Sequence, residues 1–345
     1  MDRIIAIDSG RSGVKCVDES MNKRLINAMH GYVDLNNIRQ SPNLLFNPDR
    51  DFIVSVDGKH DESHLMTIGV CTREFLPPED VQYVTEDKIY MEYSLYYILV
   101  GIAKFINNGD RVYLVINLTK TNFKYAENED TDYVKSLSGK HTVKFYNNQK
   151  MIEEKTFEVT GMNVQHQGVG AVMYMAIDDK TWTLDPMYKK EGLVLDFGRE
   201  TVVMLDMMKF NIRKPRSPKL GSEYIFKRIA DMAFNEYDIQ LSALDVEEKI
   251  VTNTPIILNN GREVKLIDFY EDALKYIAEK IKNEIWQNFN YNPAWILLTG
   301  GGINFFGKIL IGMFVNAKVV DDPIFANAMG LMKLALMSTR EKKSK

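Results

Sequence analysis

Close to its start the chain reads Ile4-Ile5-Ala6-Ile7-Asp8-Ser9-Gly10-Arg11-Ser12-Gly13-Val14-Lys15-Cys16-Val17. The apolar run over residues 4–7 predicts a strand that delivers Asp8 at its end. Gly10 and Gly13, with Ser9 and Ser12, predict a tight turn, and residues 14–17 a strand coming back. Residues this small let backbone N–H groups approach an anion without a Cβ in the way. Lys15 can reach back with a point charge, and Asp8 stands where it can hold a cation through water. On its own the stretch also fits an ordinary hairpin with an Asp at a strand end. Related stretches near residues 196 and 300 tip the balance.

The second copy is Gly192-Leu193-Val194-Leu195-Asp196, again an apolar strand ending in Asp. Phe197-Gly198-Arg199-Glu200 follows as a turn, and residues 201–206, starting at Thr201, read as the strand back. A further strand over 294–298 runs into Thr299-Gly300-Gly301-Gly302. The duplication predicts two α/β domains of similar topology facing each other, each offering a hairpin turn and an Asp to one cleft.

Between the copies, residues 24–34 read as a third strand. Residues 35–75 are polar and rich in Asn and Asp, with strand candidates at 51–56 and 64–70. They read as a small insertion subdomain rather than core, closed by Pro77-Pro78. Residues 89–106 are apolar nearly all round and predict a buried helix, and 112–118 (VYLVINL) a central parallel strand. Strands over 141–146 and 155–164 and a short helix over 168–176 complete this half. The second half predicts helices over 221–236, 243–251 and 266–289. A closing helix over 323–337 carries Phe325, Ala328, Met329, Met332 and Leu336 on one face. The cationic tail, 338–345, is expected to fray.

The 345 residues, 45% hydrophobic and 26% charged, have the composition of a globular protein of about two domains. A formal charge of −4, with no basic run before the last residues, argues against tight, sequence-specific binding of nucleic acid by this chain alone. Cys16 and Cys71 make no disulfide framework and fit a reducing cytoplasm. No signal pattern opens the sequence and no stretch reaches ~18 uninterrupted apolar residues, so neither secretion nor a membrane partner is expected.

The turn from Asp8 to Lys15, the second turn from Asp196 to Thr201 and the strand into Gly300-Gly301-Gly302 follow the order and spacing of the actin/Hsp70/sugar-kinase ATPase superfamily. Within it, Gln165-His166-Gln167-Gly168-Val169-Gly170-Ala171-Val172 and the closing Phe325-Ala326-Asn327-Ala328-Met329-Gly330 look most like bacterial and archaeal actin-like proteins. The ParM/Alp plasmid-segregation group is the match that can be named. The resemblance implies a two-domain actin-like fold with duplicated RNase H-like cores around a nucleotide cleft. Its parts would be a first domain over 1–178, carrying the insertion at about 35–75, a second over 179–322, and a C-terminal helix over 323–345 packing back on the first.

The resemblance also implies the site. ATP or GTP would lie with its phosphates on Asp8, Ser9, Gly10, Arg11, Ser12, Gly13 and Lys15, and on Asp196, Gly198, Arg199, Glu200 and Thr201. Asp8 and Asp196 would hold Mg²⁺, largely through its waters. The second turn of the family usually carries more Gly and Thr, so Glu200 is unexpected, whereas Arg199 has the geometry to meet a phosphate bidentately. Gly300, Gly301 and Gly302 would lie against the α-phosphate and ribose, with Phe305 or Phe306 beside the base. Glu247 and Lys249 fall on the helix that touches the nucleoside in the family, although the helix also reads as a solvated face. Gln167 matches the Glu or Gln that positions the attacking water in actin-like proteins. Such a residue orients water without being a strong base and suits slow hydrolysis. Its neighbours Gln165 and His166 are close enough to be confused with it, and His166 reads better as a strand-end histidine.

The expected function is therefore an ATP-dependent, filament-forming nucleoside triphosphatase that segregates plasmid DNA. Subunits would add head to tail, and a DNA-binding adaptor protein would link filament to plasmid. A small-molecule kinase of the same superfamily is the alternative, and it needs a carboxylate base over its acceptor hydroxyl that the sequence does not offer. A chaperone-type ATPase would need a separate substrate-binding domain.

Overall fold

The computed structural model describes residues 2–10, 12–34, 49–58, 64–77, 80–83, 92–118, 132–147, 150–289 and 292–343. It divides into a first unit, Met1–Leu184 with Ile324–Lys345, and a second, Asp185–Pro323.

In the first unit β1 (Arg3–Gly10) pairs antiparallel with β2 (Gly13–Asp18), which pairs with β3 (Lys23–Asn27). After β4 (Met29–Asp34), β5 (Phe52–Val56), β6 (His64–Ile68), a helical turn α1 (Thr72–Phe75) and β7 (Gln82–Tyr83), the chain enters helix α2 (Glu92–Ala103). Strand β8 (Asp110–Leu118) lies parallel to β1. Then follow α3 (Asp132–Leu137), β9 (Gly139–Asn147), β10 (Lys150–His166) and α4 (Val169–Ala176). One ten-stranded sheet results, in the order β3-β2-β1-β8-β10-β9-β5-β6-β4-β7.

Strand β1 shows why the sheet is covered on both faces. Successive side chains of a strand point to opposite sides. Ile5 and Ile7 enter one core, with Cys16, Ile98 and Leu114; Ile4 and Ala6 enter another, with Ala328, Leu331 and Met332. Helix α2 supplies the first cover, and the last helix, Ala326–Lys343, the second. Complete burial of Ile5 and Ile7 stabilises the fold by about 1.5–3 kcal/mol for each side chain. Cys16 belongs to this packing, and burial pushes its thiol up to about 12, so it is not a nucleophile.

The second unit has a five-stranded sheet in the order β13-β12-β11-β16-β17. Its strands are β11 (Gly192–Phe197), β12 (Val202–Met208), β13 (Asn211–Arg216), β16 (Trp295–Thr299) and β17 (Ala317–Val319), with the short ribbon β14 (Ile256–Ile257) and β15 (Glu263–Val264) apart from it. Helices α5 (Ser222–Tyr237), α6 (Ala243–Thr252), α7 (Tyr270–Asn288) and α8 (Ile303–Met313) pack on it, and α9 (Ala326–Lys343) returns to the first unit. The pairing senses repeat. From β1, two steps one way are antiparallel and two the other way are parallel, and the same holds from β11. The duplication therefore extends well beyond the hairpins.

Three expectations are corrected. Residues 24–34 form two strands, not one: the chain bends at Ala28, whose N–H makes a last bond to Ser12 O at 3.3 Å, and then departs from β2. Strand β3 edges the sheet on one side, while β4 lies near the other end. The expected insertion at 35–75 contributes core instead: β5 and β6 extend the main sheet through β9, and Phe52, Val54, Met66 and Ile68 share a cluster with Ile5. Residues 35–48 within it lie outside the described residues. The tail expected to fray continues α9 to Lys343.

Candidate functional site

In the first hairpin the register sets Asp8 opposite Lys15 on β2 and Asn117 on β8. Asn117 Nδ2 donates to Asp8 Oδ1 at 2.9 Å, and Lys15 Nζ lies 3.7 Å from Asp8 Oδ2. Asn117 also accepts from the Ser9 N–H through Oδ1 at 3.3 Å, and its carbonyl accepts from Ser9 Oγ at 3.2 Å. Asp8 is 4% exposed and Lys15 9%. A buried ion pair is retained only where its charges are well satisfied, and 3.7 Å is longer than a charge-assisted hydrogen bond. The ammonium thus has donor capacity for a further anion. A Cβ on Gly10 would come 2.5 Å from Lys15 Nζ, so glycine here keeps the space beside the ammonium open. Gly13 meets the opposite constraint, with Ile26 O 2.8 Å from where its Cβ would be. Arg11 lies outside the described residues.

The second hairpin uses its backbone differently. Gly198 N–H donates to Thr201 O at 2.9 Å, closing the turn. The carbonyls of Gly198, Arg199 and Glu200 accept from the N–H groups of Ser222, Glu223 and Gly221 at 3.2, 2.8 and 3.0 Å. These donors at the start of α5 would otherwise be unsatisfied, so the turn itself caps that helix. Arg199 is held by acids: Nη2 donates to Glu247 Oε2 at 2.8 Å, and Nε lies 3.9 Å from Glu223 Oε2. Glu200 faces Lys219 at 3.5 Å. Asp196 is 2% exposed, opposite Val203 on β12 and Thr299 on β16.

The glycine run packs beside Asp196. Gly300 has φ +87°, and a Cβ there would overlap Asp196 Oδ1, so only glycine fits without strain. Gly302 N–H donates to Phe197 O at 2.8 Å, whereas Gly301 has open space where its Cβ would be. Phe306 is fully buried against Phe197, with ring centroids 5.1 Å apart, so of the two phenylalanines it cannot lie beside a base. Phe305 is half-buried, edge-on to Phe226 at 5.5 Å. Glu247 and Lys249 lie half-buried on α6, which Ser242 and Asp245 start as a capping box.

Gln167 follows the end of β10, and its backbone N–H donates to Leu118 O at 2.8 Å. Gly168, with φ +93°, then turns the chain into α4. His166 closes β10 as a half-buried strand-end histidine. Gln165 Nε2 is taken by Asn163 Oδ1 at 2.6 Å.

The first unit thus brings Asp8, Ser9, Gly10 and Lys15 together, and the second brings Asp196, Gly300, Gly302 and the Gly198–Thr201 turn together. Asn117 and Glu223 also belong to these two groups, and no motif in the sequence marks either. The available signal for Asn117 is a lone Asn closing the apolar run Val112-Tyr113-Leu114-Val115-Ile116. Among the described residues no group of three or more His, Cys, Asp or Glu could hold a metal. Mg²⁺ that keeps its waters and takes oxygens from phosphates needs only one or two carboxylates. Asp8 in the first unit and Asp196 in the second are each a single buried carboxylate near a strand end.

Residues 6–170 match the family of actin-like protein N-terminal domains. The archaeal actin homologue Ta0583 superposes with TM-score 0.74 at 15% identity, over 97% of this chain and 99% of that one. The protein has the actin-like two-domain fold. The same actin-like architecture occurs in the ParM of a 15-stranded filament from Clostridium botulinum, with TM-score 0.73 and 17% identity over 97% and 99% of the chains. It occurs also in the pSK41 ParM protein, with TM-score 0.69 and 16% identity over 99% of both. Ta0583 has in addition been solved in complex with ADP, at TM-score 0.69 and 15% identity over 97% and 99%. By sequence, no curated protein matches the chain significantly. Among the described residues no helix is long and apolar enough to cross a membrane.

Proposed function

We propose that this actin-like protein is a nucleoside triphosphatase that polymerises head to tail when it binds ATP and disassembles after hydrolysis. The observation carrying this reading is the buried Asp8–Lys15–Asn117 cluster beside two glycines, in a chain that superposes on an ADP-binding actin homologue and on a filament ParM. Lys15 and the Ser9–Gly13 backbone bind the β- and γ-phosphates. Asp196, Gly198, Thr201 and Gly300–Gly302 bind further parts of the same nucleotide, and Glu247, Lys249 and Phe305 stand on its nucleoside side. Asp8 and Asp196 would hold Mg²⁺, which would neutralise phosphate charge. Gln167 orients the attacking water by hydrogen bonding. An amide is too weak a base to take its proton outright, which suits slow, timed hydrolysis.

In this reading Arg199 braces the turn rather than the phosphate, because Glu247 and Glu223 already occupy its guanidinium. The biological task is plasmid DNA segregation in the cytoplasm through a DNA-binding adaptor. With a formal charge of −4 the chain alone binds DNA weakly and without sequence preference. The test is a pelleting assay with phosphate release measured in the same tube, across protein concentrations. Turnover per subunit rises above a critical concentration and tracks the pellet. Flat specific activity without a pellet, and turnover only when a sugar or other acceptor is added, points to a small-molecule kinase instead.

A further inference from the structure

The segment around Gln167 and the closing segment Phe325-Ala326-Asn327-Ala328-Met329-Gly330 meet in the first unit, where α4 packs on α9. Helix α4 has eight residues, too few to be stable alone, and each of its ends leaves backbone groups to be satisfied. Its N-cap residue is Gly168, which has no side chain to offer. The missing acceptor comes from the other helix: Asn327 Oδ1 accepts from the Ala171 N–H at 3.1 Å. That N–H is the one an N-cap Ser, Thr or Asp would ordinarily take.

The opposite end is closed from the same helix. Lys333 Nζ donates to Tyr174 O at 3.0 Å and Ile177 O at 3.2 Å, and pairs with Asp179 Oδ1 at 2.6 Å. It also lies 4.7 Å from the Tyr174 ring centroid. A cation here complements the negative end of the helix dipole. Lys333 is 3% exposed, and a buried ammonium is tolerated only with such partners. Midway, a Cβ on Gly170 would overlap Asn327 backbone, and one on Gly330 would overlap Gly170 backbone. Helix α4 can neither slide nor turn on α9 without breaking a cap or making a clash.

We propose that Asn327 and Lys333 are positioning residues for Gln167, acting through α4. Gln167 lies between two fixed points, its N–H bonded to Leu118 O and the capped helix beginning two residues later. A shift of α4 therefore displaces the Gln167 amide, and small misplacements of a catalytic group cost much of its effect. The proposal rests on the reading of Gln167 as the water-orienting residue.

A double-mutant cycle in kcat for ATP hydrolysis tests it. Asn327→Leu lowers kcat about tenfold and leaves KM within about twofold, while Asn327→Asp, which keeps the acceptor, restores kcat to within about threefold of wild type. In a Gln167→Ala background Asn327→Leu has less than about a twofold further effect, since the group it positions is gone. The full tenfold loss in that background, or no loss in the wild-type one, overturns the proposal and leaves the Gln167 reading standing. Unchanged kcat in Gln167→Ala alone overturns both. Should Asn327→Leu fail to fold, Lys333→Met runs through the same cycle, with an expected loss of about threefold.

Discussion

The two hairpins share a backbone plan and differ in what they carry. In each, an Asp stands two residues before a turn glycine, in a strand flanked by one antiparallel and one parallel neighbour. Opposite Asp8 stands Lys15; opposite Asp196 stands Val203. The parallel neighbour offers the Asn117 amide in the first unit and the Thr299 hydroxyl in the second, and that hydroxyl donates to Pro323 O at 3.2 Å. The first hairpin keeps a buried cation with donors to spare. The second commits its turn carbonyls to α5 and its arginine to Glu223 and Glu247. Repetition of a scaffold is thus not repetition of side chains: one copy keeps a buried lysine beside its Asp, and the other commits its turn to the start of a helix.

The largest expected effects fall on the two strand-end aspartates. Asp8→Ala and Asp196→Ala each lower hydrolysis severely, by roughly 10²-fold or more, because a charged group behind Mg²⁺ is lost. A variant that keeps wild-type phosphate release at saturating Mg²⁺ removes its residue from the account. Gln167→Ala slows hydrolysis about 10²-fold while nucleotide binding and pelleting survive. Loss of binding in that variant would mean that Gln167 touches nucleotide rather than water. Smaller effects test the scaffold role of the second unit. Gly300→Ala destabilises it by roughly 1–3 kcal/mol, from positive φ and the overlap with Asp196. Gly301→Ala, which meets nothing within 4 Å, stays within about 0.5 kcal/mol. Urea titrations of the two variants check the contrast, and equal destabilisation breaks it. Arg199→Met is also small: its ion pairs are about one-third exposed and contribute no more than about 1 kcal/mol.

How legible this was in the sequence depends on range. Both hairpins could be read because strand, Asp, turn and return strand lie within 15 residues, 4–17 and 192–206, and the apolar runs are unbroken. The pairing Asp8–Asn117 spans 109 positions, and nothing local marks Asn117 except that it closes an apolar strand. The stretch 35–75 misleads because its strands are short and set among polar residues, yet β5 and β6 find partners in β9 and in each other. Arg199 has the chemistry of a phosphate ligand. Only the folded chain reveals that Glu247, far along on α6, holds it. Likewise nothing local in the sequence marks Lys333, whose ammonium meets the end of α4 from 156 and 159 positions away.

The most direct measurement is equilibrium binding of ATP with Mg²⁺ to the wild-type protein, Lys15→Met and Arg199→Met, side by side below the concentration at which protein pellets. Saturable binding of one nucleotide per chain is expected. It weakens roughly 10- to 100-fold in Lys15→Met, on the order of one charge-assisted contact, and changes by less than about threefold in Arg199→Met. No nucleotide binding by the wild-type chain, or a greater loss at Arg199 than at Lys15, would contradict the assignment of phosphate binding to the first hairpin.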